Sequence, residues 1–233
     1  MTALFLFILG LLVGSFANVL IDRLPNGENV LWGRSRCDHC KKNLRWYELI
    51  PVVSYVVQSG KCRRCHTRLS VQYPVIELVT GSGFVLLYPH PVPFYLVFIS
   101  LLVIGVADVK YQIIPDSMIV LGSLGALWAG AHLVPAIGSF AFLYCVWAAT
   151  RGRGMGFGDV KFAFFMGLLL GFPGIVIAFY VAFLTGALAG VILILGRKKT
   201  WKSKIAFGPF LVVGTVAAWV WQPQFLAVWR MYI

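Results

Sequence analysis

Four of the five cysteines fall into two pairs whose spacing is typical of a metal site. Cys37 and Cys40 form one Cys-x-x-Cys motif, and Cys62 and Cys65 form another, with 21 residues between the pairs. Two such pairs, each on a tight turn, supply the four thiolates of a tetrahedral zinc site of the ribbon type. Four protein ligands leave no open coordination position, so we expect this metal to hold the segment folded without taking part in a reaction.

Other states of these sulfur atoms remain open on sequence grounds. The thiols can form two disulfides or stay unligated, although a reducing compartment disfavours stable disulfides. His39 and His66 each lie beside a ligand cysteine and can replace one thiolate. The fifth cysteine, Cys145, lies in an apolar stretch and is expected to be a small core residue.

Acidic residues beside apolar stretches form the second set of side chains that can do chemistry. The chain has only eight acidic residues, and a carboxylate in hydrocarbon is costly enough that it usually faces the protein interior. Asp108 ends one apolar stretch and Asp159 begins another. If the two meet, one can activate water as a carboxylate while the other, as a carboxylic acid, protonates a peptide carbonyl. Asp159 alone can be read as a helix cap, but Asp108 stands at a predicted helix C-terminus, where the helix dipole opposes negative charge.

The residues around Asp159 are further candidates for contact with a substrate. Gly156 and Gly158 precede it, and Lys161 follows it. Another extended chain can approach a backbone without side chains closely, so the two glycines can accommodate a peptide. Lys161 either steers such a peptide or marks the cytoplasmic boundary of a span. The segment is not a phosphate loop, because it lacks the trailing Gly-Lys-Ser/Thr.

Apolar helices must position these residues. Of the 233 residues, 60% are hydrophobic and 12% are charged, with a mean hydropathy of +0.85, which excludes an ordinary soluble domain and a disordered chain. We predict an all-α polytopic membrane protein with about eight transmembrane helices, because the apolar stretches approach the ~20 residues that a spanning helix needs. The stretches are Thr2–Ile21, Tyr73–Tyr88, Phe94–Ala107, Ser117–Ala131, Ala136–Ala149, Val160–Leu170, Ile175–Leu195 and Ile205–Trp221.

The basic residues predict the orientation of these helices. Of the 20 Lys and Arg residues, 19 fall in alternate loops if the N-terminus lies outside, and only Arg230 would face outwards. Short loops rich in Lys and Arg stay in the cytoplasm, so the net charge of +12 reports membrane topology and requires no nucleic-acid partner. Thr2–Ile21 lacks a basic leader region and a small-residue cleavage site, and is predicted to be a retained first span.

This organisation divides the chain into three predicted parts. Residues 1–21 form the first transmembrane helix, residues 22–72 a cytoplasmic four-cysteine module, and residues 73–233 a transmembrane domain that carries both aspartates. The module has too few residues to build a self-sufficient core, so we expect a bound metal ion to stabilise its fold.

Several motifs together resemble the type IV prepilin peptidases, a family of membrane aspartyl proteases of the GxGD class. The resemblance covers most of the chain. It rests on Gly14–Pro25, the paired cysteines, Pro51, Ser54–Tyr55, Gly60–Arg63, Tyr73–Glu77, Asp108–Asp116 and Gly156–Lys161.

The resemblance implies that Asp108 and Asp159 are the catalytic pair of an aspartyl peptidase domain, with Asp116 as a supporting residue at a helix start. The implied substrates are precursors of type IV pilins and of type II secretion pseudopilins, cut after a basic leader at the cytoplasmic face of the bacterial inner membrane. A second implied activity is methyl transfer from S-adenosylmethionine to the new N-terminal amine. Glu77 is a candidate for holding the methyl donor or the amine, or it only pairs with a nearby cation.

Two readings from other classes are weighed against this one. A small transporter or channel would use the intramembrane aspartates to bind a cation, but polar residues near the midplane of several spans and inverted repeats are not visible in the sequence. A non-catalytic assembly protein of a pilus or secretion machine would tolerate asparagine at positions 108 and 159, which a peptidase would not.

Overall fold

The computed structural model describes residues 1–30, 32–37, 39–196 and 206–229, the last eight of them as backbone only. The predicted cytoplasmic loop 197–204, the first residue of the last predicted stretch, Ile205, and the outward-facing Arg230 lie outside the described residues. The described chain is helical, with two isolated β-bridges and no strand. The prediction of an all-α protein is confirmed.

The described residues form eight α-helices and one 3-10 turn. The 3-10 turn spans Trp46–Leu49, between the first two helices. The helices are α1 (Thr2–Arg23), α2 (Val53–Val57), α3 (Gln72–Leu86), α4 (Val92–Tyr111), α5 (Asp116–Gly130), α6 (Leu133–Ala149), α7 (Phe157–Leu195) and α8 (Gly208–Trp229).

Three of the described helices, α1, α4 and α7, are long and apolar enough to cross a membrane. The helices α5 and α6 and the stretch Gly208–Trp221 of α8 are shorter and also apolar. Large hydrophobic side chains stay exposed on these helices, for example Phe5 on α1 and Tyr180 on α7. Helices of this length with apolar outer surfaces are those of a membrane protein.

The longest helix, α7, is broken near its middle. Gly171 has a φ of 63° and Phe172 a φ of −100°, so neither is helical, and Pro173 follows. The break frees backbone groups, and one of them, the carbonyl oxygen of Leu168, accepts a hydrogen bond from the His132 N–H at 3.1 Å. The two predicted stretches Val160–Leu170 and Ile175–Leu195 therefore correspond to two segments of α7.

The contacts divide the chain into two units, and the first is Met1–Ile99. Its main contact is that of α1 with α3. Gly10 and Gly14 on α1 let the backbones approach, since a Cβ at either position would lie 2.7 Å from a backbone atom of α3. Small residues four apart are the usual way in which apolar helices pack closely in a membrane.

The second unit is Ser100–Ile233, and α7 is its centre. This helix packs against α5, α6 and α8. The largest side chains that it buries are Phe162 and Phe165, and on α6 Leu143 is buried beside it. A polar contact links the same two helices, because the Ser139 hydroxyl donates to the Ala163 carbonyl at 2.8 Å.

The ends of two helices differ from the predicted stretches in a way that matters for the site. The helix α4 continues past Ala107 to Tyr111, so Asp108 lies within its last turn and not after it. The helix α1 likewise continues past Ile21 to Arg23. Apolar composition therefore underestimated the length of both helices, because each ends in polar residues.

The close packing of α1 on α3 predicts that Gly14→Ala destabilises the protein. Its new Cβ would lie 2.7 Å from the Glu77 Cα, and overpacking of this kind costs about 1–3 kcal/mol. Gly138→Ala is the matched control, because a Cβ there has no neighbour within 4 Å. Thermal unfolding in detergent should show a lower melting temperature for Gly14→Ala only, and equal melting temperatures would contradict the packing.

Candidate functional site

Asp108 is a buried carboxylate in the last turn of α4, with 5% of its surface exposed. The C-terminal end of a helix dipole disfavours a negative charge there, so a compensating donor is needed. The donor is the backbone N–H of Gly208, which hydrogen-bonds to Oδ2 of Asp108 at 2.8 Å. The first residue of α8 thus stabilises a side chain 100 positions earlier in the sequence.

Asp159 is buried in the first turn of α7, with 6% of its surface exposed. Its Oδ2 accepts a hydrogen bond from the Gly156 N–H at 3.0 Å, so the carboxylate caps its own helix. The charge of Asp108 acts directly on the Asp159 carboxyl. The structure therefore brings together the two aspartates that the sequence paired.

The two glycines before Asp159 differ in their surroundings. A Cβ at Gly158 would lie 3.2 Å from the Ile114 Cβ, so this glycine lets the segment before α5 pack against the start of α7. A Cβ at Gly156 would meet Asp159 Oδ2 at 3.6 Å, which is an ordinary contact. Gly156 is therefore the glycine with room beside it, and its N–H is already used by Asp159.

Lys161 and Asp116 form an ion pair that joins the starts of α7 and α5. The ammonium of Lys161 lies 2.8 and 2.7 Å from the two carboxylate oxygens of Asp116. The pair is solvent-exposed, with 38% of the Lys161 side chain and 66% of the Asp116 side chain accessible, so it contributes roughly 0–1 kcal/mol. Asp116 thus lies at a helix start, as predicted, and its partner is Lys161.

The four cysteines of the polar module converge on one point. Their sulfur atoms all lie within 4.8 Å of one another, and those of Cys37 and Cys65 are 3.8 Å apart. A tetrahedral zinc site with Zn–S distances of about 2.3 Å separates its sulfurs by about 3.8 Å. All four cysteines are free, so the two disulfides left open by the sequence are absent from this cluster. The cluster can hold a metal ion.

The two Cys-x-x-Cys pairs lie on turns with the same backbone pattern. The N–H of Cys37 donates to the Lys42 carbonyl, and that of Cys62 donates to the Thr67 carbonyl, both at 2.9 Å. The residue after each second cysteine, Lys41 or His66, has a φ of 55°. Two equivalent turns that present their thiols to a common centre are the geometry of a four-thiolate metal site.

The thiols of the cluster differ in acidity. Hydrogen bonds from Thr67, chiefly from its side chain, lower the pKa of Cys65 to about 5. Burial raises the pKa of the Cys37 thiol to about 11. A divalent cation at the centre would deprotonate all four, because a coordinating thiol loses its proton to the metal charge.

Glu77 is the third buried carboxylate, and it lies in α3 within the first unit. It has 7% of its surface exposed. Its Oε2 accepts a hydrogen bond from the Val52 N–H at 2.7 Å. Val52 has a φ of 60°, which a β-branched residue rarely adopts, so the surrounding structure must hold this contact in place.

Two contacts of the buried carboxylates were not predicted from the sequence. Neither Gly208 nor Val52 was singled out as a site residue. Each acts through its backbone N–H, which every residue except proline has, so no side-chain motif marks it. The one available signal was the pair Gly208-Pro209 at a helix start, where the first N–H has no partner within the helix.

These features define a helical membrane protein that buries a pair of aspartates at the ends of its helices and carries a four-cysteine cluster in a polar module. Comparison with known families agrees with both halves of this description. The Bacterial Peptidase A24 N-terminal domain matches residues 8–90, and the Type IV leader peptidase family matches residues 95–191. No solved structure matches the chain.

Proteins named prepilin leader peptidase/N-methyltransferase are similar over most of their length. The Bacillus subtilis (strain 168) protein is 32% identical, with 95% of this chain and 95% of its own covered. The Burkholderia pseudomallei (strain 1026b) protein is 30% identical, with 91% and 83% covered. The Stutzerimonas stutzeri protein is 29% identical, with 97% and 92% covered. The chain belongs to the type IV leader peptidase family.

The geometry of the cysteine cluster predicts one tightly bound metal ion per chain. Replacing two ligands in the Cys62→Ser, Cys65→Ser double variant should abolish metal binding and leave the module sensitive to proteolysis, because so small a segment has little core of its own. Cys145→Ser is the control, since Cys145 lies on α6 outside the cluster and is exposed, so the prediction that it is a core residue is wrong. Metal analysis of the purified protein measures the outcome, and equal metal content in both variants would contradict the site.

Proposed function

We propose that the protein removes the basic leader of type IV prepilins and pseudopilins with Asp108 and Asp159, and methylates the new N-terminal residue with S-adenosylmethionine. The observation that supports the first activity most strongly is the pair of buried, electrostatically interacting carboxylates at the ends of α4 and α7. Family membership supports both activities, because the relatives are named for them.

Hydrolysis by this pair requires one carboxylate and one carboxylic acid. The carboxylate accepts a proton from water, whose oxygen attacks the carbonyl carbon of the scissile peptide, while the acid protonates the carbonyl oxygen. The tetrahedral intermediate then breaks its C–N bond, and the departing amine takes the proton that water gave up. Each aspartate uses Oδ2 for a backbone N–H, so Oδ1 of each is available for water and substrate.

The membrane orientation proposed from the basic loops fits such a substrate. Asp108 lies at the end of one apolar helix and Asp159 at the start of another, so both belong near a boundary of the bilayer. A prepilin is cut between a basic leader and an apolar helix, which is the same kind of boundary. The proposal places the N-terminus outside and the four-cysteine module in the cytoplasm of a bacterium, with the chain in the inner membrane.

The proposed metal is zinc, with a structural role. The separation of 3.8 Å between two cysteine sulfurs fits a tetrahedral zinc–thiolate site, and four protein ligands leave no position for substrate. Cys37, Cys40, Cys62 and Cys65 would hold the ion, which would keep the module folded. Peptide hydrolysis then depends on the aspartates alone.

Glu77 is the proposed contact for the methyl-transfer half of the reaction. S-adenosylmethionine supplies a methyl group on a positively charged sulfur, and the acceptor is the amine released by cleavage. A buried carboxylate held by the Val52 N–H can attract the amine as an ammonium and then take its extra proton, which frees the nitrogen lone pair to accept the methyl group. The site would lie between the four-cysteine module and the membrane helices of the first unit, and a metal-free variant that methylates normally would refute this placement.

The transporter and assembly-protein readings are not favoured. The chain belongs to a family named for peptidase activity, and its two buried aspartates are fixed by backbone hydrogen bonds. A cation pathway would instead need polar groups lined up through the bilayer.

The peptidase proposal is tested by mass spectrometry of a co-expressed prepilin. The intact protein should remove the leader, whereas Asp108→Asn and Asp159→Asn should each leave the precursor uncut, because an amide can neither accept nor supply the required proton. Asp116→Asn is the matched control, since this exposed aspartate only pairs with Lys161, and it should retain cleavage. Leader removal by either variant of the buried pair would contradict the assignment.

The methyl-transfer proposal predicts that Glu77→Gln separates the two activities. The substitution keeps the side-chain size and an acceptor for the Val52 N–H but removes the charge, so cleavage should persist while the fraction of methylated N-termini falls at least tenfold, the equivalent of about 1.4 kcal/mol. The mass of the mature pilin N-terminus reports both events in one spectrum. Full methylation by Glu77→Gln would assign Glu77 a purely structural role.

A further inference from the structure

In the first turn of α8, one backbone N–H is used neither by the helix nor by Phe207, the residue that precedes it. The N–H groups of Phe210 and Leu211 donate to the Phe207 carbonyl at 3.0 and 3.2 Å, and Pro209 has no N–H. Gly208 is the remaining donor, and its N–H points at Asp108 Oδ2 at a distance of 2.8 Å. The carboxylate of Asp108 at the end of α4 therefore accepts the N–H of Gly208 at the start of α8, 100 residues later in the sequence.

This contact has the same form as the one that holds the other aspartate. In each case a glycine N–H at the start of a helix donates to Oδ2 of a buried aspartate, from Gly208 to Asp108 and from Gly156 to Asp159. A carboxylate that accepts such a bond through one oxygen has a fixed orientation for the other. The two reacting oxygens are thus positioned by two backbone groups.

The Gly156 contact is local to α7, whereas the Gly208 contact makes α8 part of the site. We infer that Gly208 is a positioning residue for cleavage: its N–H sets the orientation of Asp108, and its lack of a side chain leaves room for the carboxylate. This inference rests on the proposed peptidase function of Asp108.

Steric space gives an independent reason for glycine at this position. A Cβ on residue 208 would lie 2.7 Å from Asp108 Oδ2 and 3.0 Å from its Cγ. Real Cβ atoms do not come this close, so any larger residue must push the carboxylate away from the α8 backbone. Residue 208 must donate its N–H to Asp108 and must also leave room for the Asp108 carboxylate, and only glycine meets both requirements.

The test is Gly208→Ala, compared with Gly105→Ala. Gly105 lies on α4 one turn before Asp108, and a Cβ there meets Val212 at an ordinary 3.5 Å, so this control adds the same methyl group without touching the carboxylate. Prepilin cleavage is measured at steady state for both variants, together with melting temperature and methylation of a pilin supplied already cleaved.

The expected result for Gly208→Ala is a fall in kcat of about 100-fold, because displacement of a reacting group by about 1 Å has effects of that size. KM, melting temperature and methyl transfer should stay those of the intact enzyme, since substrate binding and the first unit are unchanged. Gly105→Ala should cleave normally. Equal kcat values for the two variants would overturn the inference.

A second measurement decides the matter if Gly208→Ala does not fold. Hydrogen–deuterium exchange of a peptide spanning residues 206–211 should speed up in Asp108→Ala, which removes the acceptor of the Gly208 N–H, and stay unchanged in Asp159→Ala. Equal exchange in the two variants would refute the contact. If the intact enzyme leaves prepilin uncut, the proposed function fails, and the exchange experiment still decides the contact by itself.

Discussion

A carboxylate buried among apolar helices must find a hydrogen-bond donor inside the protein, and this requirement explains the organisation of the second unit. Among the residues that the structure describes, neither Asp108 nor Asp159 has a cationic partner, and each is instead held by one glycine N–H. Helix starts are the natural source of such donors, because their first N–H groups are not used within the helix. The beginning of α8 therefore has to meet the end of α4, whereas Asp159 takes its donor from the start of its own helix, α7. The packing of α7 against α8 holds these two helices together.

The first unit solves the same problem with different groups. Glu77 on α3 takes its donor from Val52, a residue of the polar module, so one buried carboxylate ties the module to α3. Among the described residues of the module few side chains are buried, and two of them are the cluster residues Cys37 and Cys62. A metal bound by the four sulfurs would therefore replace the missing core, and the Glu77 contact would fix where the folded module sits on α3.

Side-chain patterns were visible in the sequence, and the backbone contacts that complete them were not. Two Cys-x-x-Cys pairs predicted a cluster that the structure forms, and an aspartate at each of two span ends predicted the meeting of Asp108 with Asp159. Gly208 could not be found in this way, because its partner is 100 residues away and the group that bonds is common to nearly all residues. The end of α4 was also predicted too early, since hydropathy stops at Asp108 although the helical hydrogen bonds continue to Tyr111.

We propose that Asp108 and Asp159 act together on one tetrahedral intermediate. The most direct test is the binding of a prepilin-derived peptide in which a hydroxyl-bearing carbon replaces the scissile carbonyl, because such an analogue resembles the transition state and binds far more tightly than substrate. The intact protein should bind this analogue tightly, and Asp108→Asn and Asp159→Asn should each lower the affinity by at least about 100-fold. Unchanged affinity in either variant would contradict the claim that the two carboxylates form a single site.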